Sequence, residues 1–449
     1  MSSVLTLLPF LISLILGWML CDLCLKNVKN RDPYLDVFLA GGIGLGASSF
    51  LMFLAVILKN RFDQTAVLIL HVLALAVLVF LIYRRKRPPA ARTGFDLTRA
   101  AGMVTLLIFA WPVWIFAKFY PFGGWDAWAV WNFKAKFILL SGTRWNELFL
   151  PELWRSSPHY PLLLPMTNVW LWSFLKTPLQ SVPMILGVVF TMLSAGVLMF
   201  SLMEGRKRIL ALAAPVLMLS LPHFLTLATN QYADIVLGYY LLGAAVCLRR
   251  WLSLKEDGWG YLAALFLGCL AFTKPEGLIS AGILTFSALT LTKTFKNLRK
   301  EKHSVGIFLG ILVAALLPAL LFKFLYSPGN QSFINGLLSA EKPSTFSRLR
   351  FILTFYAAEW LSGKWNGFWW LISAGMLLGI RKTFHKQNLL IPLFLLSYLA
   401  VITLYYWANT YFEIQWWMKV TLSRLITALV PLSIFWIFSS IIPEDKKQG

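Results

Sequence analysis

Residues 101–137 read AGMVTLLIFAWPVWIFAKFYPFGGWDAWAVWNFKAKF. The run 101–119 is apolar up to Lys118, and a helix of that length crosses a hydrocarbon core of about 30 Å. The stretch that follows is aromatic and holds one acid, Asp126, just past the membrane-length run. Apolar runs of this kind recur along the chain, near 4–21, 36–58, 64–83, 101–119, 183–203, 207–225, 233–250, 259–273, 276–292, 305–325, 367–380, 389–407 and 419–440.

Inside lipid every backbone amide must be bonded within the protein, so such runs are expected to be helices; they are too long and continuous for alternating barrel strands. The 449-residue composition, 58% apolar and 13% charged, agrees, as does a mean hydropathy of +0.70. It excludes an ordinary soluble domain. The expected fold is all-α: a polytopic transmembrane protein of about 13 spans. It forms a single integral-membrane domain over 1–449, divided into N-terminal spans (1–99), a core (100–300) and C-terminal spans (301–449).

The net charge of +22 would point to nucleic acid if the charges were dispersed. They are concentrated instead between spans: RRKR at 84–87 with Arg92 and Arg99, GRKR at 205–208, LRRW at 248–251, the 293–302 stretch, and RKTFHK at 381–386. Such segments face the cytoplasm and its anionic lipid, so nucleic acid is not an expected partner and membrane lipid is. The N-terminus is then outside and the C-terminus inside. This orientation sets Asp126 on the extracytoplasmic side and requires that 159–176, HYPLLLPMTNVWLWSFLK, does not cross; it reads as a re-entrant or interfacial helix. The long loops 120–182 and 326–366 fall on the same side and are rich in aromatics, which suits interfacial helices. The N-terminus lacks a basic segment and reads as a first span. Cys21 and Cys24 form a CxxC without a second pair or nearby histidines, a poor zinc or redox site. No nucleotide or zinc-protease motif is present.

Ionisable groups near spans are costly and invite a functional reading. Five segments supply them: Asp126; His159 and Tyr160 in SSPHYPLL; Asp234 in TNQYADIVLGYY; Lys274 and Glu276 in FTKPEGL; and Arg424 in WWMKVTLSRLITALVP, all towards the extracytoplasmic side. Each has a plainer alternative. Asp126 can cap a helix or pair with Lys134, His159 can bond a loop carbonyl, and Asp234 can cap its span. Lys274 and Glu276 can form a turn with an ion pair, and Arg424 can snorkel to the interface.

The order of these elements resembles the GT-C superfamily of membrane glycosyltransferases, which includes the protein O-mannosyltransferases and the lipid A aminoarabinose transferases. The resemblance runs over roughly 100–300 plus the Arg424 span. Asp126 matches the family's catalytic Asp in its first loop. His159, Tyr160, Pro161 and Leu162 are similar to a (His/Lys/Tyr)-Pro-Pro-Leu element, with Tyr for the first Pro. Tyr232, Ala233 and Asp234 are similar to an Arg-Met-Asp element, and Thr273, Lys274 and Gly277 to a Thr-Lys-Gly element. Three spans precede the one leading to Asp126, where the family has one in all, and Ala127 stands where a second acid is common.

The resemblance implies a polyprenyl-phosphate sugar as donor and a site facing away from the cytoplasm. Asp126 would be the general base that takes the acceptor hydroxyl's proton. Arg424, Lys274 and His159 would bind the donor phosphate. Tyr160, Asp234 and Glu276 would position those groups or bind the sugar. The simplest outcome is an inverting transfer of a hexose or pentose to an envelope glycan, a glycolipid or another acceptor hydroxyl; the alternative is Asp126 and Asp234 acting together through a covalent intermediate. No cofactor is expected, and a divalent metal is disfavoured because Asp126 has no second acid beside it. Short loops suggest a bacterial inner membrane. The rival expectation is a transporter or flippase of a lipid-linked substrate, which would set charges near the bilayer midplane and expose them to both sides.

Overall fold

The computed structural model describes residues 2–29, 31–84, 96–203, 208–294, 298–329, 331–338, 345–385, 388–410 and 412–441. Arg85, Lys86, Arg87, Arg92, Arg206, Lys207, Lys296 and Lys386, on which the orientation partly rests, lie outside the described residues.

Among the described residues the chain is helical without a strand. The first half carries α1 (Ser2–Leu25), α2 (Pro33–Lys59), α3 (Gln64–Tyr83), α4 (Leu97–Phe119), α5 (Asn132–Leu140), α6 (Leu163–Trp172), α7 (Ser181–Leu202), α8 (Arg208–Leu219) and α9 (Pro222–Thr229). The second half carries α10 (Ala233–Leu254), α11 (Asp257–Thr273), α12 (Pro275–Thr294), α13 (Leu298–Leu325), α14 (Gln331–Leu338) and α15 (Thr345–Leu361). It ends with α16 (Phe368–Leu378), α17 (Ile380–Thr383), α18 (Leu390–Ala408), α19 (Ile414–Thr427) and α20 (Val430–Ile441).

Eight helices (α1, α2, α3, α4, α7, α10, α13 and α18) are long and apolar enough to cross a membrane. Two bent pairs raise the number to ten: α8 with α9 at 66° and α19 with α20 at 44°. The other expected windows fall on α11 and α16, which are shorter apolar helices, and on α12. The 66° bend is set by Pro222 at the start of α9, whose missing N–H cannot continue α8. Helix starts follow from local sequence: Asp32, Asp63 and Asp96 each accept a backbone N–H at the head of α2, α3 and α4, as Glu413 does for α19.

α10 is the central helix, with 94% of its span window buried, against 17% for α3, whose side chains face outward. α1 and α2 pack backbone against backbone. A Cβ on Gly17 would lie 1.9 Å from the Ala40 carbonyl, and one on Gly44 1.8 Å from that of Ser13. Small residues at such crossings let helices approach in lipid.

α6 has ten residues, all buried, and at 1.5 Å per residue is about 15 Å long, too short to cross. It packs against α1, α2, α5, α7 and α11, so protein covers its backbone as a non-crossing segment requires.

Charged groups gather at two ends of the bundle. At one, Arg31 pairs with Asp22 and Asp36 at 2.8 and 2.9 Å, and Arg99 with Asp32 and Asp96 at 3.0 and 2.9 Å. These join the end of α1 to the starts of α2 and α4. The opposite ends of α4, α10 and α11 meet at the other cluster.

Candidate functional site

The chain reaches that second cluster from five directions. After α4, the turn 120–124 passes through Gly123, at φ +69°. A Cβ on Gly123 would sit 2.5 Å from the Asn230 carbonyl, and one on Gly124 2.5 Å from the Tyr232 hydroxyl. The two glycines therefore let this turn lie directly on the segment leading into α10. Asp126 follows and opens a π-helical turn, Ala127–Trp131, a geometry found often at functional sites.

Arg424 of α19 joins the carboxylates. One Nη2 donates to Asp126 Oδ2 at 2.6 Å and to Asp234 Oδ2 at 3.1 Å. Lys274, at the junction of α11 and α12, donates to Asp234 Oδ1 at 3.0 Å and stands 3.6 Å from Glu276 Oε1. Asp234 is fully buried and Lys274 nearly so; an ion inside protein at this depth is stable only when paired and hydrogen-bonded. Both Asp234 oxygens are met by cations, which accounts for its burial. Tyr232 lies under the Arg424 guanidinium, 4.6 Å from centre to centroid. Tyr160 has Lys274 above its ring at 5.9 Å, and its phenol is held above the usual tyrosine range by burial and then by the charge of Glu276.

Asp126, Tyr160, Asp234, Lys274, Glu276 and Arg424 thus form one group. His159 stands apart. Its ring meets Tyr160 edge-on at 4.8 Å, and burial, with the charges of Lys134 and Lys323, lowers its pKa to about 4. At neutral pH it is an uncharged imidazole, so it offers a phosphate a hydrogen bond and no positive charge.

The plainer alternatives can be compared with this geometry. Asp126 makes no side-chain cap bond, and Lys134 turns to the carbonyls of Ser157 and Tyr160, at 2.7 and 3.2 Å. α10 has no side-chain cap bond either; Asp234 is spent on cations. Arg424 pairs inward. Lys274 and Glu276 do form an ion pair at a turn, and its longer distance ranks it behind the Asp234 bond.

Several polar atoms around the group are buried without a partner among the described residues: Arg424 Nε, Glu276 Oε2, Trp131 Nε1 and Tyr398 Oη. Buried polar groups are normally satisfied, and a donor–acceptor set of this kind suits a hydroxylated, charged ligand. Cys21 is buried and Cys24 half-buried, and neither is in a disulfide among the described residues.

The sequence reading assigned no role to Tyr232, to Lys134 beyond a possible partner, or to Trp131, which stacks on Tyr160 at 5.6 Å. It also missed a neighbouring polar group. Glu359 accepts from Lys364 at 2.7 Å and from the Trp365 indole at 2.9 Å. Lys364 also bonds Ser423, next to Arg424, and the His223 ring lies 5.1 Å from that of Trp365. A glutamate and a lysine within an aromatic loop were the available signal.

No protein-family model, curated protein or solved structure matches the chain.

Proposed function

We propose that this protein is an integral-membrane glycosyltransferase of GT-C-like architecture with about 13 spans. It moves a sugar from a polyprenyl-phosphate donor to an acceptor hydroxyl on the extracytoplasmic side, in a bacterial inner membrane. The observation that carries the reading is the sharing of one Arg424 nitrogen by Asp126 and Asp234. Both carboxylates accept from Nη2 and leave Nε without a partner among the described residues, the donor this reading gives to a phosphate oxygen.

The reaction needs little more. The acceptor oxygen bonds to the anomeric carbon as the bond to the phosphate oxygen breaks. The acceptor's proton passes to Asp126, whose Oδ2 is taken by Arg424 and whose Oδ1 accepts it. The electron pair of the broken bond stays with the phosphate, stabilised by Arg424 and Lys274. A single displacement of this kind inverts the anomeric centre. Tyr160 and Glu276 line the sugar, with His159 as an uncharged neighbour. The acceptor is an envelope glycan, a glycolipid or another lipid-linked hydroxyl.

One observation favours a second reading. Discontinuous helices such as α8–α9 and α19–α20 are characteristic of transporters, so flipping of a lipid-linked substrate is the alternative. Mass spectrometry of envelope lipids and glycans from cells with wild type, a deletion and Asp126→Asn separates the two. Under the transferase reading the deletion and the variant lose the same sugar-sized mass. Under the flippase reading Asp126→Asn behaves as wild type while the deletion has a phenotype.

A further inference from the structure

The turn carrying Asp126 and the segment leading to Asp234 are joined by a seam of neutral groups. Gly124 N–H donates to the Asn230 carbonyl at 3.1 Å. Beside it runs a chain of three buried amides. Asn168 Nδ2 donates to Asn132 Oδ1 at 3.1 Å, and Asn132 Nδ2 donates to Gln231 Oε1 at 2.9 Å. Gln231 Nε2 closes the chain on the carbonyls of Tyr120 and Pro121, at 3.3 and 3.1 Å. The relay ties α6 to α5, α5 to the segment before α10, and that segment to the loop before Asp126. A cavity of about 10 Å³, lined in part by Asn132, Asn168, Gln231 and Tyr232, adjoins it. Asn168 Oδ1 has no partner among the described residues, and the space fits one water.

We infer that Asn132, Asn168 and Gln231 are positioning residues that fix the separation of Asp126 and Asp234, so that both can grip one Arg424 nitrogen. Amides suit the task because each donates and accepts, and none carries a charge to compete for the guanidinium. Gln231 sits at φ +60°, a left-handed conformation that its side-chain bonds hold in place. The inference rests on the transferase reading, which supplies the phosphate that the held Arg424 would bind.

The test titrates the full-length protein in nanodiscs with polyprenyl monophosphate, read by tryptophan fluorescence, with melting temperature measured in parallel. Gln231→Leu and Asn132→Leu are each expected to weaken binding about tenfold, and the double variant no further than either single. Gly124→Ala opens the same seam from the other side by driving a Cβ at Tyr232, and is expected to weaken binding as much should the leucine variants not fold. A purely structural relay would lower melting temperature and leave affinity alone. Binding within twofold of wild type in the folded variants overturns the inference, as do losses that multiply in the double variant. A wild type that does not bind, or an Arg424→Met variant that binds as wild type does, overturns the phosphate seat and the transferase reading, and the inference with them.

Discussion

Arg424 and Asp126 lie 298 positions apart in the chain and 2.6 Å apart in space. A planar guanidinium held at one nitrogen keeps a second edge aligned for phosphate, which a lysine ammonium cannot reproduce. Under the proposed transferase reading, Arg424→Lys is therefore expected to express normally and to lose about 100-fold or more in transfer. Under the same reading Asp126→Asn is expected to lose about 10²–10⁴-fold, the usual contribution of a general base. Sugar release from labelled donor in membranes measures both; wild-type rates in Arg424→Lys would count against phosphate binding there.

Lys274 and Asp234 are a buried pair, and removing Lys274 leaves Asp234 Oδ1 unmet, with Arg424 still on Oδ2. Lys274→Met should destabilise the protein by about 1–3 kcal/mol, the cost of one buried acceptor left without its donor. Combining it with Asp234→Asn should recover part of that loss, because the half-paired charge is then gone. Melting curves in detergent decide the matter: equal melting temperatures for Lys274→Met and wild type would show that the pair carries little of the fold.

His159 gives the protein a defined acid sensitivity. Its folded pKa is about 4 and its unfolded value about 6.5. Between these values the unfolded chain binds more protons, so this contribution to stability is present above about pH 6.5 and lost as pH falls towards 4. The difference corresponds to roughly 3 kcal/mol. His159→Gln should flatten the fall in melting temperature between pH 7 and pH 5, and an unchanged pH dependence would show that the ring is hydrated.

The contact of α1 with α2 tolerates no side chain at Gly17 or Gly44, since in both places a Cβ would meet a backbone carbonyl below 2 Å. Gly44→Ala is expected to cost more than the ~1–3 kcal/mol typical of overpacking. Gly282→Ala is the control, because a Cβ there has open space. Surviving folded protein after extraction, measured by size exclusion, should drop for the first and hold for the second.

Much of this architecture was legible because lipid imposes a simple length rule. The long apolar runs became helices, and Pro161 and Pro165 with a short run marked α6 as non-crossing. The breaks within 207–225 and 419–440 were less visible. Pro222 signals the first and Pro431 the second, each at a single residue whose missing N–H interrupts the helix. The site was legible for the same reason as the spans: Asp126, Asp234, Lys274 and Arg424 are charges where charges are expensive. Which charge meets which was not, because pairing depends on how α4, α10, α11 and α19 converge. Asn132, Asn168 and Gln231 escaped notice because an isolated amide in an aromatic segment carries no pattern until its partner is known.

The complete enclosure of α6 bears on how the chain is made. Spans can leave the insertion machinery one at a time and wait in lipid, but a ten-residue helix covered on every side has no lipid-facing stage in which to wait. Its neighbours α7 and α11 are synthesised after it. The segment 159–176 must therefore be held at the membrane surface until later helices arrive and then be enclosed. Assembly of the region around Asp126 is a late event in biogenesis, completed only after the middle of the chain has entered the bilayer.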